Sequence, residues 1–144
     1  MSLLKIAQVP PLTVDPNATV LDAVRLMERQ SVGAVAVVDQ GQLRGILSER
    51  DVMLRVALKE LNPRETKVGA VMTSEVETTP DDVTEEEALT RMVERHVRHL
   101  PIVDKDGRLL AMLSMRNVLE HQVDILSREL HSLGEYLAND GPGG

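Results

Sequence analysis

Residues 45–51 read Gly-Ile-Leu-Ser-Glu-Arg-Asp, and residues 111–117 read Ala-Met-Leu-Ser-Met-Arg-Asn. In both segments a short apolar run is followed by a serine and, three positions later, by a carboxylate or an amide. The similarity extends outward with an offset of 65 residues up to Asp39 and Asp104, and of 66 residues afterwards, because the second hairpin loop is one residue longer. Internal repetition of this kind indicates that one structural unit occurs twice.

The first copy has the pattern strand, helix, strand, hairpin, strand, helix. A short extended segment at 12–14 precedes apolar residues spaced i, i+3, i+4 and i+7 over 20–27, which predicts an amphipathic helix. The unbroken apolar run at 34–38 is typical of a buried strand, and 43–47 is its partner after a turn. A helix is predicted from Ser48 to about Leu58.

The second copy repeats this order. We expect a strand at 77–79, a helix containing 88–93, strands at 100–103 and 109–113, and a helix from Ser114.

The predicted fold is therefore α/β (α+β): two tandem β-α-β-β-α repeats with an extended C-terminal helix. A half of about 60 residues buries too little surface to be stable alone, so we expect the halves to pack sheet to sheet with pseudo-two-fold symmetry. The predicted divisions are a first repeat at 9–60, a linker at 61–67, a second repeat at 68–120, a helical extension at 121–138 and a flexible tail at 139–144.

Composition excludes several functions. The chain has one aromatic residue, Tyr136, and a net charge of −7, which argue against nucleic-acid binding because stacking needs rings and phosphate neutralisation needs cations. Without cysteine it has neither disulfides nor thiolate metal ligands. No apolar run is long enough to span a bilayer, and the N-terminus matches a signal peptide poorly. We therefore expect a cytoplasmic location and no membrane association.

The ordered motifs resemble those of the cystathionine-β-synthase-type (CBS) repeat family. Gly45 to Asp51 is similar to the family's Gly-hydrophobic-hydrophobic-Thr/Ser-x-x-Asp signature, and the segment from Ala111 to Asn117 is a weaker copy. The segments 32–39 and 97–104 resemble the family's second strand. Residues 71–73 resemble a repeat opening. The resemblance covers residues 9–126 and is that of a stand-alone, bacterial-type tandem CBS pair.

The resemblance implies adenosine-containing ligands in clefts between the repeats: AMP, ADP or ATP, with NAD(H) and S-adenosylmethionine as alternatives. In the family the Ser/Thr hydroxyl and the Asp carboxylate hold the ribose, backbone near the first two strands reads the base, and basic residues reach the phosphates. Carried over to this chain, the first site would use Val14, Asp15, Gly33, Ala34, Ser48, Arg50 and Asp51. The second would use Thr78, Thr79, Arg98, His99, Ser114, Arg116 and Asn117, and is weakened by Asn117 and Ala111.

Two of these motifs have other interpretations. Ser48-x-x-Asp51 is also an ordinary helix capping box, and the two roles are compatible. His96-x-x-His99 has the spacing of a metal-ligand pair but lacks a third ligand, which favours Arg98-His99 as a basic pair at the cleft. The alternative for Arg98-His99 is a solvated pair on the surface.

The C-terminal helix has an apolar heptad seam, defined here by Leu119, Val123, Leu126, Leu130, Leu133 and Leu137. Its steps of 4 and 3 are typical of a helix that pairs with another helix, and predict a homodimer. The alternative is a helix that packs back on its own domain.

We therefore expect a regulatory, ligand-sensing module that signals to an unidentified partner protein. The rival hypothesis is a structural or oligomerisation protein with non-binding clefts. An enzyme is not expected, because the chain has no nucleophile elbow, catalytic triad order or phosphate-binding glycine loop.

Overall fold

The first repeat forms a three-stranded sheet in the computed structural model, which describes residues 2–140 and the side chains of residues 2–138. Strands β1 (Thr13–Val14), β2 (Ala34–Asp39) and β3 (Gln42–Ser48) lie in that order, β1 parallel and β3 antiparallel to β2. Helix α1 (Val20–Gln30) connects β1 to β2. Helix α2 (Glu49–Asp51) follows β3 and continues as a π-helical segment, Val52–Ala57. This order matches the predicted repeat.

The second repeat has a two-stranded sheet of β4 (His99–Val103) and β5 (Leu109–Ser114), preceded by helices α3 (Val68–Val71) and α4 (Glu85–Arg95). The strand predicted at 77–79 is wrong, since this segment forms only one parallel bridge, from Thr79 to Ile102. Pro101 explains the difference. In the first repeat the Ala36 N–H donates to the Leu12 carbonyl at 3.0 Å, but Pro101, at the position of Ala36, has no N–H to donate.

The two repeats share details of local geometry that a chance similarity would not reproduce. Helices α1 and α4 are capped by threonine hydroxyls and both end on a left-handed residue, where the φ angles are 53° and 56°. Both hairpins contain a register shift at the same position. The equivalent pairs are Thr19 and Thr84 at the N-caps, Ser31 and His96 at the C-caps, and Gly41 and Gly107 in the turns. The predicted duplication of one α/β unit is confirmed.

The repeats are interlocked by two short segments, which we call the exchanged segments: residues 3–8, which begin with the 3₁₀ turn Leu3–Lys5, and residues 68–73, which begin with helix α3. Leu3 is 1% exposed and belongs to the core of the second repeat, while Val68 is fully buried in the core of the first. Backbone hydrogen bonds fix both segments, from Leu3 N–H to the Asp81 carbonyl and from Val68 N–H to the Ala18 carbonyl. The ranges 9–60 and 68–120 therefore describe the sequence repeats, whereas each core also includes residues from outside its own range.

Helix α5 (Met115–Asp140) starts in the second repeat and extends beyond it as one continuous helix. Val118 is buried in the second core, but all six residues of the heptad seam are between 50% and 69% exposed. The alternative that this seam packs back on its own domain is therefore wrong. The predicted tail overlaps the helix at residues 139 and 140, and its remainder, 141–144, lies outside the described residues. In the described part of the chain, no helix is both long and apolar enough to cross a bilayer.

Candidate ligand-binding site

Ser48 and Asp51 form a complete capping box at the junction of β3 and α2. The Asp51 N–H donates to Ser48 Oγ at 3.2 Å, and the Ser48 N–H donates to Asp51 Oδ2 at 2.9 Å. The Ser48 hydroxyl also donates to the same carboxylate oxygen at 3.1 Å. The capping interpretation of this motif is therefore correct, and it places a hydroxyl and a carboxylate side by side at a helix start.

The Asp51 carboxylate also contacts a segment that is distant in sequence. The Thr73 hydroxyl donates to Asp51 Oδ1 at 2.9 Å, and the Arg55 guanidinium lies 3.9 Å from the same oxygen. Arg55 also donates to the carbonyls of Val71 and Met72, at 3.2 and 2.9 Å, at the C-terminal end of α3. These contacts leave Asp51 only 8% exposed, and they connect it to the exchanged segment.

Sequence reasoning did not include Thr73 and Arg55 in the site. Thr73 lies in the segment 71–73 that resembles a repeat opening, but nothing in its spacing indicates a contact 22 positions away. Arg55 lies four residues after Asp51, a spacing that places both side chains on one helix face. This spacing is the signal that could have identified it.

The second copy of the motif keeps the cap and lacks the rest. The Ser114 N–H donates to Asn117 Oδ1 at 2.9 Å, and the Asn117 N–H donates to Ser114 Oγ at 3.0 Å. Gln8 stands at the position of Thr73 and, among the described residues, its side chain makes no hydrogen bond to Asn117. His121, at the position of Arg55, instead contacts Glu85 at 2.6 Å. The two motifs therefore share a local frame but differ in charge and in their distant contacts.

Gly45 is required by the close approach of the exchanged segment. A Cβ atom there would lie 2.6 Å from the Thr73 carbonyl oxygen and 2.7 Å from Met72 Sδ, far inside contact distance. The equivalent Ala111 is fully buried in the second core, one residue before Met112, which bridges to Gln8. The difference between Gly45 and Ala111 therefore concerns how tightly each exchanged segment packs.

The site residues predicted near the first strand of each repeat differ in their burial and in the hydrogen bonds of their polar groups. Val14 is half-buried, and exposed Asp15 accepts from the Asn17 N–H at 2.8 Å. Thr78 is half-buried, but Thr79 is 1% exposed and its hydroxyl donates to the Pro80 carbonyl. Both backbone groups of Thr79 are also bonded within the repeat. The hydroxyl, the N–H and the carbonyl of Thr79 are therefore all hydrogen-bonded within the protein.

The starts of β2 and β4 meet where the two repeats face each other. A Cβ atom at Gly33 would lie 3.1 Å from Glu49 Oε1 and 3.5 Å from His99 Cε1, so these three residues share one junction, with buried Ala34 beside them. Burial lowers the pKa of His99, the Glu49 carboxylate raises it, and the neighbouring Arg98 lowers it further. The net direction is downward, which favours a neutral imidazole at this junction at neutral pH.

The predicted phosphate-binding arginines are all exposed. Arg98 and Arg116 line an open cleft of about 600 Å³ together with Met115, Leu119, Glu120 and Val123. Arg116 is paired with Glu120 at 2.7 Å, whereas Arg50 has no hydrogen bond or ion pair within residues 2–138. The cleft combines cationic and aliphatic groups, which suits an anion attached to an apolar body. In the same range no three His, Asp or Glu side chains are grouped to hold a metal ion, so His96 and His99 have no third ligand.

Two interlocked α/β repeats, each with a serine-capped motif at the end of its last strand, β3 or β5, define the class of paired CBS modules. The chain belongs to the CBS domain family, whose model matches residues 5–58 and 68–124. This confirms the resemblance inferred from the motifs.

Proteins that are similar in sequence include both short and long chains. The CBS domain-containing protein YhcV of Bacillus subtilis is 34% identical over 111 residues, which cover 77% of this chain and 78% of YhcV. Inosine-5′-monophosphate dehydrogenase of Methanocaldococcus jannaschii is 38% identical over 112 residues, but the match covers only 21% of that enzyme.

Solved structures agree with the fold. A CBS-domain protein from Burkholderia ambifaria MC40-6 has a TM-score of 0.79 and 30% identity, covering 86% of this chain and 95% of that one. The CBS domain pair of protein MJ0100, solved with 5′-methylthioadenosine and S-adenosyl-L-methionine, has a TM-score of 0.75 and 20% identity, covering 83% and 98%.

Proposed function

We propose that the chain is a regulatory module that binds an adenosyl ligand between its repeats and signals its occupancy to a partner protein, without catalysing a reaction. The observation that carries this proposal is the carboxylate of Asp51, held beside the Ser48 hydroxyl at a helix start. A carboxylate fixed in this way accepts hydrogen bonds from adjacent ribose hydroxyls. The MJ0100 complex supports this ligand class, since both of its ligands contain a 5′-substituted adenosine.

Cationic and apolar groups near the junction suit the rest of such a ligand. Arg98 and Arg116 would attract phosphates or a carboxylate, and Arg50 supplies a further cation beside the first motif. The adenine would pack against aliphatic side chains, because the only aromatic residue of the chain, Tyr136, is on the exposed part of α5. AMP, ADP and ATP are the leading candidates, with NAD(H) and S-adenosylmethionine as alternatives.

The two motifs should bind with different strengths. Asp51 is an ionisable acceptor, whereas Asn117 is neutral, and hydrogen bonds to charged groups are roughly twice as strong as neutral ones. We therefore expect the first motif to bind more tightly and the second to bind weakly or not at all.

Calorimetric titration with the five ligand classes tests the proposal directly. A true ligand should bind with a stoichiometry of one per chain at the tighter site, and at 100 Kd should add about 2.7 kcal/mol to the free energy of unfolding. Absence of heat and of thermal stabilisation with every ligand at millimolar concentration would favour the rival hypothesis, a structural protein with non-binding clefts.

We also propose that the chain forms a homodimer through the heptad seam of α5. The observation that favours this is the exposure of all six seam residues, since a row of apolar side chains at heptad spacing is covered when two such helices pair. The second copy is the simplest occupant because it presents the same seam.

The seam proposal can be separated from pairing through the repeat helices. The double variant Leu126→Glu/Leu130→Glu should lower the mass measured by light scattering from a dimer to one chain of 15.9 kDa. The matched control is Met53→Glu/Leu58→Glu, which changes two residues that are 59% and 69% exposed on the first repeat. If the control dissociates and the seam variant remains dimeric, the repeat helices form the interface and the seam does not.

A further inference from the structure

The Asp51 carboxylate has room for only one more hydrogen bond. A carboxylate offers about four lone-pair positions on its two oxygens. Oδ2 accepts two donors from Ser48, its N–H at 2.9 Å and its hydroxyl at 3.1 Å, and is full. Oδ1 accepts the Thr73 hydroxyl at 2.9 Å. Two adjacent ribose hydroxyls need two acceptor positions, so a ligand has to displace one of the present donors.

Among the donors to the Asp51 carboxylate, the Thr73 hydroxyl is the one that a ligand can displace. The Ser48 hydroxyl is fixed from two sides, because it donates to Asp51 Oδ2 and accepts from the Asp51 N–H. Thr73 is the hydrogen-bond donor on Oδ1, the oxygen that still has a vacant position. Its release makes both positions of Oδ1 available while the cap remains intact.

The Thr73 side chain also connects the site to the exchanged segment. The Thr73 backbone is paired with Ile46 in both directions at 2.9 Å, and Arg55 binds the two preceding carbonyls. Further back, Val68 is buried in the first core. Loss of the side-chain bond to Asp51 would remove one of the contacts that hold the end of the segment that interlocks the repeats. The second motif, with Gln8 and Asn117, has no such bond among the described residues.

We propose that Thr73 is a competing residue of the adenosyl site, whose hydroxyl exchanges with the ribose hydroxyls at Asp51 Oδ1. Occupancy of the site then releases the end of the exchanged segment 68–73, which reports binding to the rest of the molecule. This inference rests on the proposed function, because it needs a ligand that binds Asp51.

Thr73→Val tests the competition, because valine keeps the shape of threonine and removes the hydroxyl. Calorimetric titration with AMP, and with ATP and S-adenosylmethionine in parallel, should give roughly tenfold tighter binding for Thr73→Val than for wild type, since the ligand no longer displaces a hydrogen bond to a charged group. Thr73→Ser keeps the hydroxyl and should bind like wild type. A merely structural role for Thr73 predicts the opposite direction, because a loosened site binds more weakly.

The outcomes separate the two proposals. Binding by wild type with unchanged or weaker affinity in Thr73→Val overturns the competition and leaves the proposed function standing. Absence of binding by wild type overturns the proposed function and this inference with it. Hydrogen exchange on the wild-type protein gives a second measurement that does not depend on the variant folding: AMP should raise deuterium uptake in peptides covering 68–73, and a decrease there contradicts the release.

Discussion

Asp51→Asn separates ribose binding from helix capping, because the second repeat has asparagine, Asn117, at the position equivalent to Asp51. Asn117 makes both capping contacts, at 2.9 and 3.0 Å, so asparagine at position 51 should keep the cap. It removes the charge. The amide oxygen stays at the cap, as it does in Asn117, so the NH2 group, which only donates, takes the place of Asp51 Oδ1. The ribose hydroxyls then lose a charged acceptor, which contributes about 1.5–3 kcal/mol, so we expect Kd to rise by roughly 10- to 150-fold.

Asp51→Ala should reduce both affinity and stability. Without the carboxylate, the Ser48 N–H and the Thr73 hydroxyl lose their acceptor in a region where Asp51 is only 8% exposed. The N-cap itself remains, because the backbone N–H of residue 51 still donates to Ser48 Oγ. An unsatisfied buried donor costs about 1–3 kcal/mol, so we expect a decrease of about 1–3 kcal/mol in the free energy of unfolding. Affinity should fall by roughly 10- to 150-fold.

Urea unfolding and calorimetric titration of the same preparations measure these two effects. The matched control is Asn117→Ala, which removes the acceptor of the Ser114 N–H in the second motif and should lower stability with little change at the tighter site. The reasoning is refuted if Asp51→Asn binds the ligand as tightly as wild type, because the charge of Asp51 then has no role in recognition. It is also refuted if Asp51→Asn is as unstable as Asp51→Ala, because asparagine then does not replace the capping acceptor.

Two further predictions concern packing and pH. Gly45→Ala should destabilise the fold by about 1–3 kcal/mol in urea unfolding, because its Cβ would lie 2.6 Å from the Thr73 carbonyl oxygen. The matched variant Ala111→Gly should cost about 1 kcal/mol or less. Equal losses in the two variants would show that the close approach does not restrict position 45. The pKa of His99 is lowered in the folded protein, so below about pH 6.5 the unfolded chain binds more protons than the folded one. The free energy of unfolding should therefore fall as the pH falls from 7 towards 5, and His99→Gln should weaken this dependence. Unfolding curves at pH 7.5, 6.5 and 5.5 measure it, and identical pH dependence in the two proteins would contradict the role of His99.

Most of the fold could be predicted because its signals are local and occur twice. Short apolar runs and helical spacing located every strand and helix of the first repeat, and the offset of 65 or 66 residues transferred them to the second. The strand expected at 77–79 did not form because its pairing depends on the N–H that Pro101 lacks, and Pro101 lies more than twenty residues away. The exchange of Leu3 and Val68 between cores also could not be predicted, since their helices have only three and four residues and are too short to show an apolar periodicity.

The candidate site divides in the same way between local and distant contacts. Ser48 and Asp51 are three residues apart, so their pairing follows from the sequence, and the structure adds that both motifs are capped alike. The second motif has alanine, Ala111, at the position of Gly45, which suggests a weaker ligand site. The structure adds a packing requirement at position 45, where the Thr73 carbonyl leaves no space for a Cβ. The two repeats therefore differ through the residues that the exchanged segments bring to each motif, and a comparison of the motifs alone does not include those residues.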